Sequence, residues 1–169
     1  MMIIKISNLS EGIHHLEFDE NVKNIGIDEP FFGNVNVKVE LSKLHNQIIL
    51  QADMSANASF TCDRCTKDFN TVLSSNYKMV YLFGPEPEDN NDISVTFLPM
   101  DTDKIILDED VRDYAVLSVP MKKLCKEDCK GLCVNCGKDL NEGDCGCQKN
   151  QIDSRWLPLM ELKDKINNN

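Results

Sequence analysis

The sequence predicts an α+β fold: a mainly antiparallel β-sheet or small barrel of meander topology, with one or two helices and a cysteine-rich C-terminal segment. Three observations lead to this prediction. Long stretches of the first half alternate apolar and polar residues with a period of two, which is typical of half-buried strands. A shorter stretch near residue 110 has helical spacing instead, and six of the eight cysteines lie between Cys125 and Cys147.

Three long strands are predicted one after another. The alternation runs through residues 35–41, then 48–60, then 69–83, where Ser75 is the one polar interruption. Consecutive strands with short connections are typical of an antiparallel meander, because such strands can be joined by tight hairpins.

The connection between the second and third strands is TCDRCTKD, which places Cys62 and Cys65 at the tip of a hairpin. The stretch GPEPEDNND, residues 84–92, is predicted to be a solvated loop because it combines proline, glycine and charge. A further strand is predicted through Ile93, Val95 and Phe97. We expect Pro99 to end it.

From Asp108 the apolar residues adopt helical spacing, with Asp108 available as the N-cap and Pro120 as the stop. An apolar and basic stretch around Trp156 predicts a short C-terminal helix. We therefore expect three parts. Residues 1–120 form a β-rich domain with a hairpin knuckle and one helix, residues 121–150 a cysteine-rich segment, and residues 151–169 the terminal helix with a frayed tail.

The N-terminus lacks the pattern of a secretion signal, and nowhere does an apolar run approach the roughly 20 residues that span a bilayer. We therefore expect a cytoplasmic protein that does not associate with membranes. Because the cytosol is reducing, its cysteines are not expected to form disulfides.

The net charge of −10 is unevenly distributed. Residues 84–113 carry ten carboxylates against Lys104 and Arg112, so this segment alone has a net charge of −8. The rest of the chain is close to neutral. The overall acidity therefore does not exclude a polyanionic partner on another face.

The spacing of the cysteines predicts zinc. Cys-x-x-Cys occurs twice, and this spacing lets two thiolates reach one tetrahedral ion. The first predicted site consists of Cys133, Cys136, Cys145 and Cys147, which lie close in sequence. The second consists of Cys62, Cys65, Cys125 and Cys129. In the alternative partition Cys129 joins Cys133 and Cys136 and another cysteine is spare, so one or two structural zinc ions are expected.

Other interpretations of the cysteines are less well supported. Cys129, Cys133 and Cys136 have the spacing of an iron–sulfur triad, but no barrel sequence follows them. A thioredoxin-like pair would need a strand–helix context, whereas Cys62 lies between two strands. Free thiols packed as small hydrophobes are the remaining possibility.

No catalytic constellation is visible. The chain has no glycine-rich phosphate loop, nucleophile elbow or metal-hydrolase helix signature. The three histidines are His14, His15 and His45, which we expect on or near surface turns. Because a closed four-thiolate site has no open coordination position, we expect neither an enzyme nor a small-molecule substrate.

Three stretches together, TCDRCTKDF, DEDVRDYAVLSVPM and LCKEDCKGLCVNCGKDLNEGDCGC, resemble the large ribosomal RNA subunit accumulation (YceD-like) family, over about Asn34 to Lys165. The resemblance implies a cytoplasmic, non-enzymatic factor that promotes accumulation of large-subunit (23S) ribosomal RNA in ribosome biogenesis. The cysteine-rich tail looks like a version found in only part of the family. The tail is therefore expected to stabilise or recruit.

Basic residues beside the cysteines are candidate nucleic-acid contacts. They are Arg64, Lys67, Lys122, Lys123, Lys126 and Lys130. Such a cluster can neutralise phosphates, so the expected partner is ribosomal RNA or a large-subunit ribosomal protein. The same lysines can equally be solvated or offset thiolate charge. Two alternatives are an acidic protein–protein adaptor, unrelated to ribosomal RNA, that meets a basic partner through residues 84–113, and a thiol redox sensor.

Overall fold

The computed structural model describes residues 1–85, 87, 94–147 and 159. Within these residues the strands are β1 (Ile3–Lys5), β2 (Gly12–Asn21), β3 (Phe31–Lys43), β4 (Gln47–Thr61), β5 (Asp68–Phe83), β6 (Val95–Leu98) and β7 (Lys104–Ile106). The α-helix is α1 (Asp108–Leu117), and short 3₁₀ helices occupy Ile6–Asn8 and Val22–Ile25.

In the described part of the chain, β2, β3, β4, β5 and β6 form one sheet in that order. The first four strands are antiparallel neighbours, which confirms the predicted meander. The sheet is open rather than closed into a barrel. β6 pairs parallel with β5, which the sequence patterns did not predict. β1 and β7 form a separate antiparallel pair.

The core lies on one face of this sheet. The alternating apolar residues of β3 and β4 point into it, and Val35, Val37, Leu41, Ile48 and Leu50 are fully buried. They pack against β1, β7, α1 and the 3₁₀ helix at Val22–Ile25. The other face carries the intervening polar residues. The α+β class predicted from the two periodicities is therefore confirmed.

The helix α1 packs through Val111 and Ala115, which are fully buried. Tyr114 stacks on Tyr77 of β5, with ring centroids 4.5 Å apart and an interplanar angle of 8°. α1 ends at Leu117, three residues before the proline that was predicted to stop it. A single helix therefore covers the sheet at this place, and the segment that follows leads into the cysteines.

Two predictions in this half of the molecule are wrong. His14 and His15 lie within the strand β2 and not on a turn. This edge strand was not predicted, because Leu16 and Phe18 are only half-buried and its apolar pattern is weaker. Asp108 is the first residue of α1 and not its N-cap. Its carboxylate accepts a hydrogen bond from the Met2 N–H at 2.6 Å, which attaches the N-terminal segment to the helix.

Some predictions fall on residues outside the described ranges. They are Ile93, most of the acidic loop 84–92, and the C-terminal helix predicted within 151–169 apart from Leu159. The three-part division of the chain stays a prediction. No helix among the described residues is both long enough and apolar enough to cross a membrane.

Candidate metal centres

The sulfur atoms of the eight cysteines form two groups of four, and within each group they lie within 4.8 Å of one another. The hairpin tetrad consists of Cys62, Cys65, Cys125 and Cys129. The tail tetrad consists of Cys133, Cys136, Cys145 and Cys147. These are the two groups predicted first from the spacing. The alternative, in which Cys129 joins Cys133 and Cys136, is not formed.

Each tetrad is built on a Cys-x-x-Cys turn, and the two turns share one backbone geometry. The N–H of Thr66 donates to the carbonyl oxygen of Cys62, and that of Gly137 donates to the carbonyl oxygen of Cys133, both at 2.9 Å. Thr66 and Gly137 both have positive φ, 57° and 73°. The N–H of Cys62 donates to the carbonyl oxygen of Lys67 at 2.9 Å, and the N–H of Cys133 donates to that of Lys138 at 2.8 Å. We call these turns the two knuckles.

The sulfur positions of the hairpin tetrad fit one tetrahedral ion. Zinc–sulfur bonds of about 2.3 Å place the sulfurs of a regular tetrahedron about 3.8 Å apart. The Sγ atoms of Cys62 and Cys129 are 3.8 Å apart, and those of Cys65 and Cys125 are 3.6 Å apart. These separations are far too long for disulfides, whose sulfurs are about 2.05 Å apart. Each tetrad can therefore hold a metal ion.

The backbone prepares the first cysteine of each knuckle for metal binding. Burial opposes ionisation of Cys62, but N–H groups of Cys125, Cys65 and Arg64 point at its sulfur and lower its pKa to about 6. N–H groups of Cys136 and Asn135 likewise lower the pKa of Cys133 to about 6. Thiolates rather than thiols are metal ligands, so the lowered pKa values favour metal binding by these two sulfurs.

The tail is held against the hairpin knuckle by close backbone contacts. The N–H of Leu132 donates to the carbonyl oxygen of Arg64 at 3.0 Å, and the Arg64 guanidinium donates to the carbonyl oxygen of Cys129 at 2.8 Å. Gly131 has φ of +73°, and a Cβ placed there would lie 2.9 Å from the carbonyl oxygen of Arg64. Only glycine allows this approach, because a side chain would meet backbone atoms.

A polar chain links Lys67 of the hairpin to the sulfur of Cys129. The Lys67 ammonium lies 2.9 Å from a carboxylate oxygen of Asp139 and 2.7 Å from one of Glu142. Asp139 accepts from the side-chain amide of Asn141 at 2.7 Å, and that amide also donates to the Cys129 sulfur at 3.4 Å. Outer partners of this kind orient metal ligands.

The charges of this chain shift one another's pKa. Hydrogen bonds that the Lys67 ammonium donates to Glu142 and Asp139 raise its pKa above the usual value. Lys67 in turn lowers the pKa of Asp139 to about 2. The Asn141 amide lowers the pKa of the Cys129 thiol. The loop between the two halves of the tail tetrad thus reaches back to the hairpin tetrad, so the two centres are physically connected.

Gly131, Asp139 and Asn141 also belong to these centres but were not predicted from the sequence. The available signal was the DLN stretch beside the knuckle, since Asp and Asn side chains readily bond to backbone two residues away. Asp139 does this through the N–H of Asn141 at 2.8 Å. Their contacts with the hairpin depend on how the tail packs against it. Residue spacing alone does not reveal that packing.

The six basic candidates have three kinds of surroundings in the structure. Arg64 and Lys67 are engaged in the internal contacts described above. Lys123 lies with its ammonium 5.4 Å from the centroid of the Phe60 ring. Lys122, Lys126 and Lys130 are exposed, as are Arg64 and Lys67. Of these, Lys126 lies 3.8 Å from a carboxylate oxygen of Asp128.

In the described part of the chain, a sheet packed on one face by the helix α1, with a cysteine hairpin clamped to a cysteine-rich tail, defines a class of small β-rich protein with two candidate metal centres. A family model described as large ribosomal RNA subunit accumulation protein YceD matches residues 50–163, about two thirds of the chain. The chain therefore belongs to the YceD family. The match begins within β4, later than the Asn34 expected from the sequence.

One of the curated relatives carries the same family name. The chloroplast protein of Arabidopsis thaliana named large ribosomal RNA subunit accumulation protein YCED homolog 1 is 22% identical over 165 residues, covering 82% of this chain and 51% of that protein. Uncharacterised proteins of Mycobacterium bovis and Mycobacterium tuberculosis are 23% identical over 138 residues, covering 82% of this chain and 65% of theirs. The chain thus spans half to two thirds of the length of these relatives. No solved structure matches it.

Proposed function

We propose that this protein is a non-enzymatic, zinc-binding factor of the cytoplasm that promotes accumulation of large-subunit (23S) ribosomal RNA during ribosome biogenesis, by contacting ribosomal RNA or a ribosomal protein. The observation that carries the proposal is membership of the YceD family over residues 50–163. The printed name of the Arabidopsis relative agrees with it. The two cysteine tetrads support the choice of metal.

Zinc is the metal that suits the tetrads best. Four sulfur ligands in tetrahedral arrangement are typical of zinc or of iron–sulfur centres, and the Cys-x-x-Cys turns have the spacing found in structural zinc sites. Four protein ligands leave no position for water or substrate. The role of each ion is therefore to stabilise the fold, and its binding energy becomes folding energy.

The metal is tested by mass spectrometry of metals on the full chain purified without added ions. Two tetrads predict about two zinc ions per chain, each bound by four thiolates. The variant Cys133→Ser should retain about half of the zinc. Iron in place of zinc, or a chain without metal under reducing conditions, would contradict this part of the proposal.

The exposed lysines Lys122, Lys126 and Lys130 form the candidate face for ribosomal RNA. They are free of the internal role of Arg64 and Lys67, so their charges can neutralise phosphates. Replacing all three with glutamine should weaken RNA binding and reduce its dependence on salt. A triple replacement of the exposed Lys5, Lys78 and Lys104 is the matched control.

The function is tested by depleting the protein in cells of its source organism and quantifying ribosomal RNA across a sucrose gradient. We expect a deficit of 23S RNA relative to the small-subunit RNA, with the protein among precursor particles. An unchanged profile would remove the ribosomal role. It would favour the acidic protein–protein adaptor or the thiol sensor instead.

A further inference from the structure

A groove of about 990 Å³ opens beside the hairpin tetrad, at one end of the sheet. The end of β4, the start of β5, the segment before β3 and the segment after α1 all line it. Its size is at the upper end of the range typical of ligand pockets, about 300–1,000 Å³. None of the metal ligands lines it, so the groove is separate from the two centres.

Three phenylalanines line the groove, and one of them is exposed. Phe31 and Phe60 are buried within the fold and line it, whereas Phe32 is 42% exposed. Phe32 follows Phe31 in β3 and therefore points to the opposite side of the strand, away from the core. A large exposed aromatic residue at a concave surface is the kind of anchor on which partner proteins bind.

The ionisable residues of the groove are mostly acidic. Among the described residues that line it, Glu29, Asp63 and Asp68 are exposed acidic residues and Lys123 is the one cation. Asp63 accepts from the backbone N–H of Lys123 at 2.7 Å, and Asp68 accepts from the Thr61 hydroxyl at 2.7 Å. Both donors are neutral, so they orient the carboxylates without cancelling their charge. The lining therefore carries a net charge of −2.

The position of Lys123 shows how a cation fits this surface. Its ammonium lies 5.4 Å from the centroid of the Phe60 ring, within the range of a cation–π interaction. A second positive charge entering the groove would find three carboxylates and the exposed Phe32 ring. A phosphate would meet those carboxylates and be repelled.

We propose that this aromatic groove binds a basic segment of a partner protein, whose arginine or lysine side chains face Glu29, Asp63 and Asp68 while an apolar side chain packs on Phe32. The inference rests on the proposed function in one respect. The proposed function allows ribosomal RNA or a ribosomal protein as the partner, and the inference specifies a basic protein as the partner at the groove. RNA contact through the exposed lysines is a separate matter.

The test uses the zinc-loaded full chain and a labelled peptide of about ten residues that alternates arginine with leucine, as an extended basic ligand. Binding is measured by fluorescence anisotropy at low and high salt. We expect the wild-type chain to bind it, more weakly as salt rises, and not to bind the same peptide with glutamate in place of arginine. Failure to bind the arginine peptide would overturn the proposal.

Two groove variants separate charge from apolar contact. Glu29→Gln with Asp68→Asn should weaken binding about tenfold and flatten its salt dependence, since two opposing charges are lost. Phe32→Ser should weaken it by a similar factor without changing the salt dependence. The matched controls are Glu40→Gln with Asp53→Asn on the open face of the sheet, and Val72→Ser at a residue 61% exposed. Unchanged binding in both groove variants would overturn the proposal.

A single-stranded oligouridine probe distinguishes the other class of partner. If the charge variant binds this RNA less well while peptide binding is unchanged, the groove is an RNA site and the proposal is wrong. The charge variant leaves apolar packing intact, so a melting curve equal to that of wild type identifies its effect as one on binding. This variant therefore remains informative even if Phe32→Ser reduces stability.

Complementation separates failure of this inference from failure of the proposed function. Suppose depletion lowers 23S RNA, and the charge variant both restores it and binds the peptide normally: then only the groove inference fails. Suppose instead that depletion leaves ribosomal RNA unchanged while peptide binding depends on the groove residues: then the ribosomal role fails and the basic-peptide site stands.

Discussion

The hairpin and tail tetrads use the same knuckle in two different settings. In the hairpin tetrad Cys62, Cys65 and Cys129 are at most 2% exposed. In the tail tetrad Cys136 is exposed and the other three sulfurs are only half-buried. The backbone turn is the same, so the contrast comes from what surrounds it. It shows that one local motif can serve both as a clamp between distant segments and as a local closure.

The two tetrads also differ in how much chain they close. The hairpin tetrad joins Cys65 to Cys125, sixty residues apart, whereas the longest step within the tail tetrad is the nine residues from Cys136 to Cys145. Closing the longer loop lowers the conformational entropy of the unfolded chain further, by an amount worth roughly 1–2 kcal/mol. A metal in the hairpin tetrad therefore contributes to the stability of the whole fold, and one in the tail tetrad mainly to its own loop.

The largest effect is expected from breaking the hairpin tetrad. Cys62→Ser should abolish one zinc and release the tail from the hairpin, because the contacts of Arg64 with Gly131 and Leu132 depend on the tail being clamped there. The loss of stability should be several kcal/mol, below the roughly 10–16 kcal/mol by which zinc binds finger peptides. Hydrogen exchange should show lost protection from residue 123 to 141.

The equivalent change in the other knuckle is the control. Cys133→Ser should also remove one zinc but expose only the tail, leaving exchange in β3, β4 and β5 unchanged. Global loss of cooperative unfolding in Cys133→Ser would mean that the tail is integral to the core. Equal loss of protection in both variants would contradict the contrast between clamp and local closure.

The next effect is on the rate of metal loss. A chelator should remove zinc in two phases, the faster from the tail tetrad, because an ion leaves more readily where its sulfurs are reached by solvent and chelator. We expect rates that differ by at least about tenfold, as a local opening needs less free energy than an opening of the clamp. Release is followed with a colorimetric zinc indicator.

The variants assign the phases. Cys133→Ser should lack the fast phase and Cys62→Ser the slow one. A single phase in the wild-type chain would show that the two centres open together, through the chain from Lys67 to Cys129.

The connection between the two centres is tested by Lys67→Gln, for which we expect a smaller effect than for the cysteine variants. The change leaves Asp139, whose side chain is 9% exposed, without its cation. Melting should occur at a lower temperature, and release from the hairpin tetrad should become faster. Glu142→Gln removes the more exposed partner of the same lysine and is expected to do less. Equal effects of the two variants would mean that the buried carboxylate has no special role.

The parts of the fold that depend on local patterns could be predicted from the sequence. Alternation between residues 35 and 83 predicted the meander, because one face of each strand must be buried. The two groups of four sulfurs in the structure are those placed first from the sequence, where the closeness of Cys133, Cys136, Cys145 and Cys147 along the chain suggested the tail group. β2 was missed because its inner face is only half-buried. The strand β6 was predicted from Val95 and Phe97, but these residues do not reveal that its partner is parallel.

The contacts between distant segments were not predictable from spacing. The chain from Lys67 through Asp139 and Asn141 needs the docked tail, and each residue alone is an ordinary polar surface type. Lys67 in particular was predicted as a nucleic-acid contact from its charge, whereas the structure gives that charge two carboxylate partners. Charge patterns indicate where cations lie along a chain and not which partner they find.

The smallest effect concerns the residue that follows the second cysteine of each knuckle, where the two turns differ in the conformational energy of the backbone. Thr66 has φ of 57° and Gly137, its equivalent, has φ of 73°. A β-branched residue in this left-handed region costs roughly 1–2 kcal/mol relative to glycine, which adopts it freely. Thr66→Gly should therefore raise the free energy of unfolding by up to about 1 kcal/mol, since glycine also gains entropy in the unfolded chain. Gly137→Thr should lower tail stability by about the same amount, seen as faster metal release without a change in the core. If Thr66→Gly instead destabilises the chain, the threonine side chain stabilises the hairpin knuckle and the two turns are not equivalent.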